Sequence, residues 1–134
     1  MSLSISQAAR TVGLRPSAIR YYEHIGLLIP CARIAGQRRY DQAALQRLAV
    51  IQRARRLGFT LDEIRALFFD FPGGVPASPR WSALSRIKLD ELDREIDNIK
   101  ALQSLLRAQG HCECASLEDC GKFLLTASDC DRKD

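Results

Sequence analysis

The chain has 134 residues, 46% of them hydrophobic and 27% charged, with a formal net charge of +4. These proportions exclude a globally disordered polymer and fit one domain, or one domain with an extension. No uncharged apolar run is long enough for a transmembrane span, and the opening MSLSISQAAR lacks the basic start and apolar core of a signal peptide, so a cytoplasmic protein with no membrane partner is expected.

The charge is unevenly divided. Residues 1–57 hold ten arginines and no lysine against only Glu23 and Asp41, a net of +8. Residues 58–134 hold ten basic and fourteen acidic side chains, a net of −4. A basic front half points to a polyanion as its partner, although a solvated basic face can also stand alone.

In chain order, SISQAARTVGLRPSAIRYYEHIGLL predicts a short helix with Ile5, Ala8 and Ala9 inward, a turn at Gly13, and a second helix from about Pro16 to Ile25. Proline suits the first turn of a helix, where its missing N–H costs nothing, and Gly26 suits the stop. Two short helices joined by a glycine turn form the helix-turn-helix pattern, whose second helix can enter the major groove. On it Ser17, Arg20 and Tyr21 fall on adjoining turns and can reach phosphates or base edges, while Ile19 and Tyr22 face a core.

CARIAGQRRYD follows, with Gly36 at a turn and Arg38, Arg39 and Tyr40 on the return arm. That arrangement reads as a hairpin wing laid against a phosphate backbone. Asp41 then caps a helix running to about Leu57, with Leu45, Leu48, Ile51 and Ala54 inward. In FTLDEIRALFFDF, Thr60 and Glu63 form a capping box that opens another short helix.

PGGVPASP, residues 72–79, is a hinge that breaks helical continuity. The segment beyond it can form one helix of about thirty residues, roughly 45 Å long. Its apolar residues Leu89, Leu92, Ile96, Ile99, Leu102 and Leu106 repeat at spacings of three and four, a narrow coiled-coil seam. Nothing else in the chain is available to cover that seam, so a second copy is expected to do so.

The last feature is HCECASLEDC, His111 to Cys120, which packs three of the five cysteines into ten residues. An odd number of cysteines in a cytoplasmic chain points to thiolate or metal chemistry before a disulfide framework. Cys112, Cys114 and Cys120 suit ligation of a soft ion or an iron–sulfur cluster, with Cys130 or His111 able to complete the set. Cys31, beside Pro30, reads instead as a small buried hydrophobe. No acid–base pair accompanies either histidine, His24 or His111, so an enzyme is not expected.

Taken together, these motifs resemble the MerR family of transcriptional regulators along nearly the whole chain. ISQAARTVGLRPSAIRYYEHIGLL resembles the family's helix-turn-helix, GQRRYD its wing and RRLGFTLDEIRALF its second helix pair. The long helix resembles the antiparallel dimerisation coil, and the cysteine stretch lies where metal-sensing members bind their ligand. The resemblance implies a mainly α protein: a winged helix-turn-helix DNA-binding domain over 1–71, a hinge over 72–79, a dimerisation helix over 80–109, and a cysteine-rich effector-binding loop and tail over 110–134. It places Ser17, Arg20 and Tyr21 on the recognition helix and gives Arg38, Arg39 and Tyr40 a grip on phosphate. It also implies a homodimer on a palindromic operator in double-stranded promoter DNA, twisting it so that RNA polymerase engages.

The effector is the open point. Gln37, where most members carry an aromatic residue, resembles the SoxR-like branch. That branch's iron–sulfur pattern, C-x-x-C-x-C-x-x-x-x-x-C, is matched by Cys112, Cys114 and Cys120, with Gln109 at the first position. Copper-sensing members space two cysteines as Cys112 and Cys120 are spaced. Divalent-metal sensors add a cysteine at the start of the dimerisation helix, where this chain reads PASPRWS. A thiolate-bound ion, zinc above others, held by Cys112, Cys114, Cys120 and Cys130 requires the fewest missing parts. A 2Fe-2S redox centre stands second and a metal-free thiol switch third. A constitutive DNA-binding protein with a structural zinc site is the alternative function. A metal chaperone would leave the arginines of the front half unexplained.

Overall fold

The computed structural model describes residues 2–126. Its elements are α1 (Ile5–Val12), α2 (Pro16–His24), β1 (Ala32–Ile34), β2 (Gln37–Arg39), α3 (Gln42–Arg56), α4 (Leu61–Phe69), α5 (Ala77–Ala108) and α6 (Leu117–Thr126). The described residues divide into two compact units, the first ending in sequence at Arg86 and the second beginning at Ile87.

Local chemistry sets the ends of the first-unit helices. At α1, Ser4 and Gln7 close a capping box, and Gly13 at φ 72° ends the helix in the left-handed region that glycine enters without a Cβ clash. Pro16 opens α2 at a position where no N–H is needed. The Asp41 carboxylate accepts from the Ala44 N–H at 2.9 Å to cap α3, and the expected Thr60–Glu63 box caps α4. At the far end of α4, the Arg80 guanidinium donates to the carbonyls of Leu67 and Phe68 at 3.1 and 3.2 Å, a cation on the negative end of the helix dipole.

Strands β1 and β2 pair antiparallel, with Arg33 opposite Arg38 and Ile34 opposite Gln37. Ala35 and Gly36 both take positive φ, at 54° and 78°, a two-residue turn whose twist suits a hairpin. The backbone of Tyr40 then exchanges two hydrogen bonds of 2.8 Å with Leu3, which fastens the wing to the N-terminal segment.

The core of this unit is built from the faces that helical periodicity marked. Ile19, Leu48, Ile51 and Ala54 are buried, as are Ala8 and Ala9, with Ile5 and Leu45 packed partly against them. Two arginines brace the segment after α2 from the core side: Arg47 Nε donates to the Leu27 carbonyl at 2.6 Å, and Arg65 donates to the Ile25 carbonyl. Arg47 also lies over the Phe68 ring, 3.9 Å from its centroid, so its cation faces π-electron density. Burial lowers its proton affinity.

Two features differ from the sequence expectation. Helix α5 begins at Ala77, inside the segment read as hinge, because Pro79 falls in the first turn where its ring is tolerated. Its opening turns belong to the first unit and pack on that unit's core through Trp81 and Leu84, the Trp81 and Phe59 ring centroids lying 6.2 Å apart. The second difference is α6, where only loop and tail were expected. Ser116 Oγ accepts from the Asp119 N–H at 3.1 Å, and Glu118 and Asp119 occupy the first turn, where acidic side chains favour the helix dipole.

In the second unit, the predicted seam of α5 is open to solvent, from Leu92 at 42% exposed to Leu106 at 72%. Gly110, at φ 83°, turns the chain out of this helix. Among the described residues no helix is long and apolar enough to cross a membrane.

Candidate functional site

Helix α2 presents two contrasting faces. Ile19 and Tyr22 anchor one in the core, while Ser17, Arg20 and Tyr21 are exposed on the other. His24 extends this exposed row by one turn; its spacing of three from Tyr21 could have revealed it in the sequence. Serine, arginine, tyrosine and histidine together supply donors and a flat ring without a carboxylate among them, as a polyanion requires.

The wing carries Arg33 and Arg38 directly across the two strands. Like charges in facing positions repel, a cost that a bound anion relieves. Arg33 is exposed and was not singled out from the sequence; the i, j pairing that reveals it needs the hairpin register. Arg39 is braced by the N-terminal segment, its Nε donating to Ser2 Oγ at 3.2 Å and its Nη2 to the Ser2 carbonyl at 2.7 Å.

Tyr40 corrects the sequence expectation. Its side chain is fully buried, and its O–H donates to Glu23 Oε1 at 2.5 Å, so it does not face a phosphate. Alternation explains this: Tyr40 lies two residues after Arg38 and shares its face, which turns towards Glu23 and the core, whereas Arg39 reaches the other way to Ser2. Burial first, and then the Glu23 carboxylate, push the phenol well above its ordinary value, which keeps it a neutral donor. Glu23 Oε2 lies 4.0 Å from Arg38 Nε. Helix α2 and the hairpin segment are therefore tied by one acidic side chain.

The thiol segment lies in the second unit. Cys112 and Cys114 sit in the connection after α5, and Cys120 is the fourth residue of α6; all three are half-buried. The His111 ring Nε2 is 3.0 Å from the Arg107 carbonyl, at the C-terminal end of α5. The Gln109 amide donates to the Leu105 carbonyl at 3.4 Å. Among the described residues, no three of His, Cys, Asp and Glu form a group able to hold a metal ion. Cys130, the expected fourth ligand, lies outside the described residues. The donor set itself, three thiols in one short polar stretch, fits a soft ion. Cys31 is also half-buried, on the wall of a cleft of about 500 Å³ with Leu28, Ile34 and Phe68, in keeping with a small hydrophobe.

Residues 3–68 match the family described as MerR HTH family regulatory protein, and residues 45–109 match MerR, DNA binding. An uncharacterised HTH-type transcriptional regulator of Pseudomonas aeruginosa is 38% identical over 130 residues, spanning 96% of this chain and 98% of the relative. The chain belongs to the MerR family. Its MerR-type helix-turn-helix is thus α1 and α2, with β1 and β2 as wing. A further MerR relative, the heavy metal-dependent transcription regulator 2 of Rhizobium meliloti, is 32% identical over 120 residues, covering 88% of this chain and 82% of its own. Among solved structures, the transcription regulator PbrR691 of Ralstonia metallidurans, in complex with lead(II), superposes with a TM-score of 0.70 at 27% identity, covering 93% of this chain and 99% of that one. The protein is a transcriptional regulator with a helix-turn-helix DNA-binding domain.

Proposed function

We propose that this regulator binds a palindromic promoter operator as a homodimer in the cytoplasm and responds to a thiophilic metal ion, with zinc first, held by Cys112, Cys114, Cys120 and Cys130. One observation carries the DNA half of the reading: Ser17, Arg20 and Tyr21 share the exposed face of α2, whose other face is locked in the core. Arg38 and Arg39 would grip phosphates from the wing, and Arg33 joins them. The open seam of α5 supports dimerisation, since half-exposed leucines and isoleucines at heptad spacing gain most from an identical partner.

The effector half rests on the half-buried Cys112, Cys114 and Cys120 and is supported by likeness to a heavy metal-dependent regulator and to a lead-bound one. A bound ion would supply positive charge and a cross-link between the connection after α5 and the start of α6. The cysteines would give up their protons on binding, which makes uptake pH-dependent and couples it to ordering of the loop. The DNA step is indirect readout, contact energy being used to deform the duplex until RNA polymerase can engage. A 2Fe-2S centre is less well supported, because the first position of its pattern is Gln109, whose amide is turned to the α5 backbone.

Metal analysis of protein purified without oxygen, with an absorption spectrum, tests the effector. About one zinc per chain and no colour is expected, and Cys112→Ser, Cys114→Ser and Cys120→Ser should each abolish it. Cys130→Ser decides the fourth ligand: retention of metal moves the role to His111 or to solvent. Iron, sulfide and visible absorption would instead establish the cluster.

A further inference from the structure

We propose that Glu23 is a positioning residue for DNA binding: it registers the wing against the recognition helix and occupies Arg38 until a phosphate displaces it. The inference rests on the reading of Arg38 as a phosphate contact. Glu23 is one of only two acids among the first 57 residues. A carboxylate beside a polyanion-binding face repels the ligand, so its presence there calls for a compensating role. Its surroundings supply one. The Glu23 side chain is only 10% exposed, accepts the Tyr40 O–H at 2.5 Å, and faces Arg38 Nε at 4.0 Å.

That last distance exceeds a hydrogen bond, and Arg38 Nη1 is buried with no partner. A guanidinium with one loose ion pair and a buried, unpartnered Nη1 is held in place without being satisfied, and the side chain, 28% exposed, has to swing outward for a phosphate to reach it. A phosphate oxygen offers the short, charge-assisted acceptor that Glu23 does not. Arg33, directly across the hairpin, adds a second positive charge to the same spot. Tyr40 does the fixing and Glu23 does the charge balancing: the first bond sets where the wing lies, and the second holds Arg38 partly neutralised before DNA arrives.

The two roles separate experimentally. Affinity would be measured by fluorescence anisotropy across a salt series, on an operator duplex selected by this protein from a random pool and on a scrambled duplex. Glu23→Gln keeps an acceptor for Tyr40 but removes the charge, so binding to both duplexes should tighten and the log–log salt slope should steepen, by less than the roughly 0.9 of one full phosphate contact because Arg38 already counts in part. In an Arg38→Ala background the same change should leave the slope where it was. Tyr40→Phe keeps the charge and loses the fixing bond. It should leave the slope unchanged and lower the operator-to-scrambled ratio by about threefold to tenfold. Because Tyr40→Phe removes a single oxygen, it keeps the test open if Glu23→Gln does not fold.

An unchanged slope in Glu23→Gln, alongside a flattened one in Arg38→Ala, would overturn the role of Glu23 and leave the wing reading standing. An equal steepening with and without Arg38 would reduce Glu23 to general repulsion. An unchanged ratio in Tyr40→Phe would remove the registering role. Full retention of affinity and slope in Arg38→Ala would refute the wing reading itself, and this inference with it.

Discussion

At the scale of single residues, the recognition helix makes the sharpest claim. Arg20 is exposed on α2 one turn beyond Ser17. Its guanidinium can form a bidentate contact to a base edge, worth about 1–3 kcal/mol of discrimination. Arg20→Ala should therefore weaken operator binding and relax base preference at one position per half-site, which selection from a random pool would show as a lost consensus letter. Tyr40 makes a different claim. Its phenol is raised in the folded state, so folding favours the protonated ring. The resulting stability is present below the ordinary tyrosine value, about 10, and is lost as pH climbs from there towards the folded value. Denaturation followed from pH 8 to 11 should show an alkaline decline that Tyr40→Phe makes shallower. An identical decline in both would mean that other groups carry it. The inward turn of Tyr40 was not legible from QRRY, because residue type alone does not say which side of a short strand meets a core. The carboxylate of Glu23 was equally hidden: its partners lie fifteen and seventeen residues on, and only the hairpin register brings them together.

At the scale of elements, caps and periodicity carried most of the fold. Asp41 and Thr60 with Glu63 mark the starts of α3 and α4 as read, while the Ser4–Gln7 box at α1 emerged only from the structure; the inward residues of α2 and α3 follow the 3.6-residue period. The start of α5 was displaced because a proline reads as a breaker, although in a first turn it is tolerated. Helix α6 was masked by the cysteine stretch it overlaps, yet SLEDC carries a cap residue followed by two acids, a start signal in its own right. The α5 seam could be read as a pattern but not as a contact, since it stays exposed in the single chain and the proposed cover is a second copy. Ile99, 56% exposed in the single chain, should be buried in the dimer. Ile99→Asp would place a charge there, at a cost large enough to split the dimer. Sedimentation should report monomers, and operator affinity should fall because each half-site needs its own subunit. An unchanged dimer would rule out the seam as the interface.

For the whole molecule, the proposed DNA-binding and effector roles fall in separate compact units. The first has a net positive front and a folded recognition helix and wing; the second has the open seam and the thiols. Cysteine substitutions in the second unit should thus remove the response while leaving DNA binding and dimerisation in place, whereas Cys31→Ser should leave metal content unchanged. The family and its architecture were legible from ordered motifs across nearly the full length. The ligand set was not, because spacing fixes which thiols are close in sequence, whereas coordination depends on how a loop and a distant cysteine converge. The measurement that bears most directly on the account is transcription in vitro from a promoter carrying the selected operator, with RNA polymerase, reduced protein and zinc added or withheld. Output should change with zinc for the wild-type protein and stay fixed for Cys112→Ser and Cys120→Ser, both still bound to the operator. Output that ignores zinc, from wild-type protein that binds the operator and takes up no metal under reducing conditions, would contradict it.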